Sequence, residues 1–336
     1  MGDYSIPAGF CLHLDNESTS AETHHHWEIA RNDKVPDGPF CHGRANRASY
    51  QLARNLTRHL HNGFKSLEDI HTVVTTTLNN LPQSCLVCGA AHNVALRRSA
   101  VCPLPGCSTL FFHASLEVRL AEIRHDPQAV DLLLTMAYHA ASTGDINLLP
   151  NCPFPNTNTV LQLLQTMPPI SKLSSVNDLT VAVKRLGAPT EKLLSWICLS
   201  YRGFLASATG AWRVPGMPAG THQFLLANAA PEMETAHTGQ IGALPTRVLW
   251  HGTSLGRLFS ITNQGLRVMS GTALQAHGAS SGNGIYTAEE PSTSWAYSNR
   301  NYGYGGVGVP SVRKPFISNY FGGLYPMSLC SLLESP

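Results

Sequence analysis

A chain of 336 residues that is 43% hydrophobic and 13% charged has the composition of a folded protein and excludes a largely disordered one. Its 23 basic and 21 acidic side chains leave a formal charge of +2, which gives no broad positive field, so nucleic acid is not indicated as a partner. There is neither a run of about 18 apolar residues nor a basic-then-apolar leader, so the chain reads as soluble and intracellular, cytoplasmic or nuclear, with no membrane span.

Residues 1–44 mix Gly, Pro, Asp and Asn without a sustained period, and an extended or disordered lead-in is expected. The run His24, His25, His26 lies in it with no acidic or Cys partner at ligand spacing, and it reads as a solvated polar run. Residues 45–80 form a helical segment. Tyr50, Ala53, Leu56 and Leu60 recur there at helical spacing, and Arg47, Arg54 and Arg58 occupy the opposite, solvated face.

Residues 81–115 hold four of the nine cysteines. Cys85 and Cys88 are separated by two residues, Cys102 and Cys107 by four that include two prolines and a glycine. Two tight turns that each offer two thiolates have the layout of a structural zinc site, and four thiolates would leave no open position for catalysis. An odd, partly clustered set suits metal ligation or free thiols better than a disulfide framework, so four reduced thiols are the plainer alternative.

Residues 116–215 read as a helical region with a linker. Asp126 and Pro127 have the pattern of an N-cap followed by proline at the first helical position, and Val130, Leu133, Leu134 and Ala137 continue a core helix. His139 lies on or near it as an ordinary packed or surface histidine. Prolines break up residues 144–190 into short helices and loops. Thr190 is expected to cap a helix whose stripe is Leu193, Leu194, Ile197 and Tyr201, and the Gly, Pro, Ala and Ser of 206–220 read as a linker or domain seam.

From residue 216 the pattern changes. Residues 223–226 and 246–250 are short and β-prone, and a helix between Ser254 as N-cap and Gly265 as stop carries Leu255, Leu258, Phe259 and Thr262. Short strands with few helices among them indicate an α+β domain. The most specific stretch of the chain is 250–298. A histidine, His251, leaves a strand and is followed by Gly252, whose N–H and C=O a planar carboxamide could pair with, since no Cβ stands in the way. Ser294 can add a hydrogen bond to the amide oxygen, and the rings of Tyr286 or Tyr297 can stack on a flat heteroaromatic ring. Ser294 and Tyr297 are three apart and share one side of a helix if Pro291 starts one. A generic Gly-rich surface loop between two strands is the bland alternative.

This stretch resembles the catalytic core of the poly(ADP-ribose) polymerase superfamily, in which His-Gly-Ser/Thr, Gly-Ile-Tyr and Ser-x-x-Tyr motifs build the NAD site. Here they read His251-Gly252-Thr253, Gly284-Ile285-Tyr286, and Ser294 with Tyr297. It is most similar to a mono-ADP-ribosylating branch that carries LQLHGA before Gly-Ile-Tyr; here the piece is Leu274-Gln275-Ala276-His277-Gly278-Ala279. The paired cysteines, the segment 129–133, Leu194-Ser195-Trp196-Ile197 and His222-Gln223-Phe224-Leu225-Leu226 are similar to the region before the core in that branch.

The resemblance implies an α+β catalytic domain over residues 216–336, a mainly antiparallel split β-sheet preceded by the helical, Cys-rich region. It implies NAD as substrate, protein acceptors as partners, and a site made of His251, Gly252, Thr253, Tyr286, Ser294 and Tyr297. In it His251 meets an adenosine ribose hydroxyl, Gly252 grips the nicotinamide carboxamide with support from Ser294, and Tyr286 and Tyr297 sandwich the nicotinamide ring. In polymerising members a third catalytic residue, a Glu, lies on a late strand; mono-transferases have a bulky residue there. After Tyr297 the sequence shows a Tyr- and Gly-rich run and no β-rich segment that matches, so a core truncated at its C-terminal side is one expectation. Glu289 and Glu290 read as exposed turn residues. A catalytically silent interaction protein with a degenerate NAD fold and a structural zinc module is the competing reading.

Overall fold

The computed structural model describes residues 11–15, 26–30, 66–85, 87–94, 96, 100–111, 116–217, 221–241, 246–272, 282–298 and 327–333. The helix expected over 45–61, His24 and His25, and the LQLHGA-like piece at 274–279 lie outside these residues. The chain divides into two units, Met1–Arg119 and Leu120–Pro336.

In the first unit, β1 (Cys11–Asp15) and β2 (His26–Ala30) pair antiparallel, with Cys11 opposite Ala30 and Asp15 opposite His26. Part of the lead-in is thus a hairpin. Helix α1 (Leu67–Asn80) is started by a reciprocal cap: Ser66 N–H donates to Asp69 Oδ2 at 3.0 Å and Asp69 N–H to Ser66 Oγ at 3.2 Å. The Cys-rich segment then leads into α2 (Pro105–Phe111), with proline at its first position, and the single turn α3 (Leu116–Arg119).

The second unit begins with α4 (Glu122–His125) and the long α5 (Pro127–Ser142). The capping expectation holds, since Asp126 Oδ1 accepts the N–H of Ala129 at 3.0 Å. The same carboxylate also accepts Ser207 N–H at 2.6 Å and Ser207 Oγ–H at 2.7 Å, which ties a strand to the helix start. Twelve of the sixteen residues of α5 are buried, so it is a central helix surrounded by others and not an amphipathic surface one. Around it run α6 (Thr157–Thr166), α7 (Ile170–Ser174), α8 (Leu179–Arg185) and α9 (Ala188–Leu199). Asn156 caps α6 and Asp178 caps α8 through their side chains. Thr190 does not cap α9: the helix begins two residues earlier after Gly187, whose φ of 96° suits glycine, and the Thr190 hydroxyl donates back to Leu186 O.

Strand β3 (Phe204–Ser207) pairs antiparallel with β4 (Phe224–Asn228). The 206–220 stretch therefore is not a plain linker. It contains the end of β3 and a 3-10 turn at Gly210–Trp212, because Asp126 and the β4 backbone supply partners that composition does not reveal. After α10 (Pro231–Ile241) come β5 (Thr246–Gly252), α11 (Leu255–Gln264), α12 (Pro291–Ser298) and β6 (Met327–Leu333). The limits Ser254 and Gly265 for α11 hold, with Gly265 at φ 77°. Strand β6 lies beyond Tyr297, where the sequence pattern shows no strand. It pairs antiparallel with β5 along its whole length, Thr246 opposite Leu333 and Gly252 opposite Met327. Among the described residues the class is α+β with antiparallel pairs only, and no helix is long and apolar enough to cross a membrane.

The helix that follows β5 is seated on the central helix. A Cβ at Gly256 would lie 2.9 Å from both Cα and N of Ala140, so the α11 and α5 backbones approach as closely as glycine allows. Phe259, fully buried, meets the Trp196 ring edge-on at a centroid distance of 5.4 Å, and Trp196 Nε1–H donates to Pro150 O at 3.1 Å. A Gly256→Ala substitution presses a methyl group against backbone that cannot rotate away. Its expected cost is about 1–3 kcal/mol, seen as a melting temperature lower by several degrees; an unchanged melt would contradict this packing.

Candidate functional site

The site is built on the last three residues of β5 and the turn into α11. Trp250 is half-buried and uses both backbone groups away from β6. Its N–H donates to Ala288 O at 2.8 Å, and its C=O accepts the Ala288 N–H at 2.9 Å. The Ser294 hydroxyl, on a side chain only 3% exposed, donates to the same carbonyl at 2.9 Å. One peptide thus joins β5, the segment after Tyr286 and α12.

His251 comes next. Its Nδ1 lies 2.9 Å from the carbonyl oxygen of Tyr286. A carbonyl can only accept, so the ring nitrogen donates and the proton sits on Nδ1. The Tyr286 hydroxyl donates to Gly282 O at 2.7 Å, which holds the ring by its far end while 45% of the residue stays exposed. Gly284 N–H donates to Ser270 Oγ at 3.2 Å. Gly252 is half-buried, Thr253 is buried, and Ser254 opens α11.

The structure therefore gathers His251, Gly252, Thr253, Tyr286 and Ser294 around one strand end. Helix α12 does start at Pro291 and carries Tyr297, whose side chain lies outside the described residues. Glu289 and Glu290 are exposed, as expected of turn residues. The side-chain pattern did not reveal Ala288 or the Trp250 carbonyl, because their part is played by backbone atoms. Ser270 was missed as well; its only signal is a hydroxyl between two glycine-bearing turns.

In the first unit the four thiols Cys85, Cys88, Cys102 and Cys107 come together, with all four sulfurs within 4.8 Å of one another. Burial acts to raise the Cys85 thiol, but N–H groups directed at its sulfur outweigh this and bring it down to about 7. Burial pushes the Cys102 and Cys107 thiols up.

Ser294→Ala leaves the Trp250 carbonyl with its Ala288 partner. The expected loss is thus the net worth of one hydrogen bond, about 1 kcal/mol by denaturant unfolding. A loss beyond about 3 kcal/mol would mean that Ser294 carries more of the local structure than the Trp250 bond accounts for.

Residues 223–310 match the family described as the poly(ADP-ribose) polymerase catalytic domain. The chain is also similar to the protein mono-ADP-ribosyltransferase PARP8 of Mus musculus and of Homo sapiens, 27% identical over 244 residues in each case. Each of these matches covers 66% of this chain but only 28% of the relative, so the chain spans well under half the length of the curated relatives it matches. His251, Tyr286 and Ser294, gathered on one strand end, all lie within residues 223–310, the segment that is similar to the poly(ADP-ribose) polymerase catalytic domain.

Proposed function

We propose that this chain transfers a single ADP-ribose unit from NAD to a protein side chain and releases nicotinamide. The observation that carries the reading is the convergence just described. His251 is fixed on the Tyr286 carbonyl at 2.9 Å, and Ser294 is fixed on the carbonyl of Trp250, its neighbour in sequence, also at 2.9 Å. With the proton on Nδ1, a neutral ring presents Nε2 as an acceptor, which suits a ribose hydroxyl.

Gly252 supports a carboxamide contact through strand geometry. Backbone groups of alternate residues in an antiparallel strand face the same edge. Trp250 faces Ala288, so Gly252, two residues on, turns its N–H and C=O to that edge as well. An amide laid there would pair with both groups, and the Ser294 hydroxyl lies beside the same edge. The exposed ring of Tyr286, anchored through its hydroxyl, offers a flat surface for the nicotinamide, with Tyr297 assigned to the other face by the motif. The arrangement supports the site that the family resemblance implies.

NAD supplies a cationic leaving group on an anomeric carbon. The bond from that carbon to the nicotinamide nitrogen breaks, its electron pair neutralising the ring. The lone pair of the acceptor side chain forms the new bond, and its proton passes to solvent. The charge that develops is oxocarbenium-like, and the residues named act by holding the two halves of the substrate in line. Extension beyond one unit would call for a carboxylate on the late strand. We take β6, Met-Ser-Leu-Cys-Ser-Leu-Leu with Ser328 opposite His251, as that strand, and its sequence carries none.

Incubation with labelled NAD tests this. Label transfer by the full chain should fall about tenfold or more in His251→Ala and in Tyr286→Ala, the scale of one lost hydrogen bond or stacking contact in the bound complex. The label on the acceptor should correspond to a single ADP-ribose unit. Equal transfer by all three proteins would sink the site assignment, and a ladder of products would sink the single-unit reading. A nicotinamide analogue at about a hundred times its Kd should stabilise the chain by about 2.7 kcal/mol in a thermal shift; stabilisation without transfer would favour the silent, NAD-fold interaction protein.

A further inference from the structure

The Cys cluster takes no part in that reading, and it lies in the other unit of the chain. We propose that Cys85, Cys88, Cys102 and Cys107 bind one zinc ion in a closed, tetrahedral, four-thiolate site whose purpose is to hold residues 84–111 folded.

The distances favour an ion over a disulfide. The sulfurs of Cys88 and Cys102 are 3.8 Å apart, against about 2.05 Å for an S–S bond, and all four cysteines are free thiols. Four sulfurs each about 2.3 Å from a central zinc would stand about 3.8 Å from one another, the edge of that tetrahedron. The observed 3.8 Å equals this edge, and the remaining separations stay within 4.8 Å.

The backbone around the sulfurs is arranged for thiolates. Cys85 N–H donates to Ala90 O at 2.8 Å, Gly89 N–H donates to Cys85 O at 3.0 Å, and a bridge between Ser84 and Ala91 closes the turn. Gly89 stands at φ 75°, where a side chain would be strained. This tight turn directs N–H groups at sulfur: Val87 to Cys85 Sγ at 3.4 Å and Ala90 to Cys88 Sγ at 3.5 Å. From the second pair, Cys102 N–H reaches Cys85 Sγ at 3.3 Å. Such donors offset the negative charge that four thiolates leave around a doubly charged ion. The second turn ends at Pro105, which starts α2 and places Cys107 on its first turn, with Cys107 N–H on Leu104 O at 2.9 Å.

Two further arguments bear on the role and on the metal. The buried cluster here consists of Cys85, Val101, Cys102 and Cys107, with Val87, Cys88 and Phe111 against it. Among the described residues of this cluster four of the seven are the thiols themselves, so a cross-link through them joins both turns at the centre of the packing. A four-sulfur tetrahedral set suits zinc or iron, and zinc binds divalent-metal sites more tightly than ferrous iron.

The experiment measures metal in the full chain purified without chelator or added metal. About one zinc per chain is expected, and it should be absent from Cys85→Ser/Cys88→Ser and retained in Cys152→Ser, whose thiol lies outside the cluster. The doubly substituted chain could lose metal by misfolding, so cobalt exchanged into the unaltered chain supplies a direct readout. Tetrahedral thiolate ligand-field and sulfur-to-cobalt charge-transfer bands are expected, and chelation should expose four additional reactive thiols together with protease-sensitive sites within 84–111. Iron in place of zinc, no metal, a cobalt spectrum without sulfur bands, or full zinc content in Cys85→Ser/Cys88→Ser would each overturn the proposal.

Discussion

The geometry of the site depends on one peptide group. The carbonyl of Trp250 accepts two hydrogen bonds, from Ala288 N–H and from Ser294 Oγ–H, and its N–H is given to Ala288 O. Those bonds bring a loop and a helix far along the chain against a single strand position. His251 and Gly252 follow directly, so their placement relative to Tyr286 and Ser294 is set by backbone ladder geometry, which has little freedom once one pair is formed. A shift of register would take both partners from this half-buried carbonyl, and polar groups left unpaired away from water are costly.

That strand end is held in turn by the helical layer. Trp250 to Gly252 lead through Thr253 and Ser254 into α11, and α11 lies on α5 at the distance that only Gly256 permits. Phe259, three residues on and so on the same face, packs that helix against Trp196. Asp126, which starts α5, also receives the backbone and hydroxyl of Ser207, so the helix that supports α11 is tied to the β3–β4 pair as well. A rigid element beneath a binding loop is what allows short hydrogen bonds at the site to persist. The burial of α5 on nearly every face follows from this, since helices or strands pack against it from several directions.

How much of this was legible in the sequence depended on the range of the interaction. The start of α5 at Asp126 and Pro127, the end of α11 at Gly265 and the start of α12 at Pro291 rest on capping, positive-φ and ring geometry within a few residues, and they were readable; Ser254 does precede α11, but its side chain makes no cap hydrogen bond. Thr190 was misread because a hydroxyl at that position can also bond back to Leu186 O, and only the positive φ of Gly187 shows where α9 begins. The composition of 206–220 concealed strand β3, because the stretch is ordered by Asp126 from 81 residues earlier. Strand β6 was missed for a related reason. Its seven residues have no distinctive pattern, and what makes them a strand is the edge of β5.

The sequence by itself determined the chemistry available: a His-Gly-Thr leaving a strand, a Gly-Ile-Tyr, a Ser three residues before a Tyr, and four cysteines in two pairs. These are local facts of residue type and spacing. The tertiary structure decided which of them meet and through which atoms. It put His251 on the backbone carbonyl of Tyr286, tied Ser294 to the Trp250 carbonyl, and brought the sulfurs of two distant turns to within 4.8 Å. Backbone groups are the same at every residue, so no sequence pattern marks the carbonyl that a fold will use. Which one it uses is settled only when strands pair and helices pack.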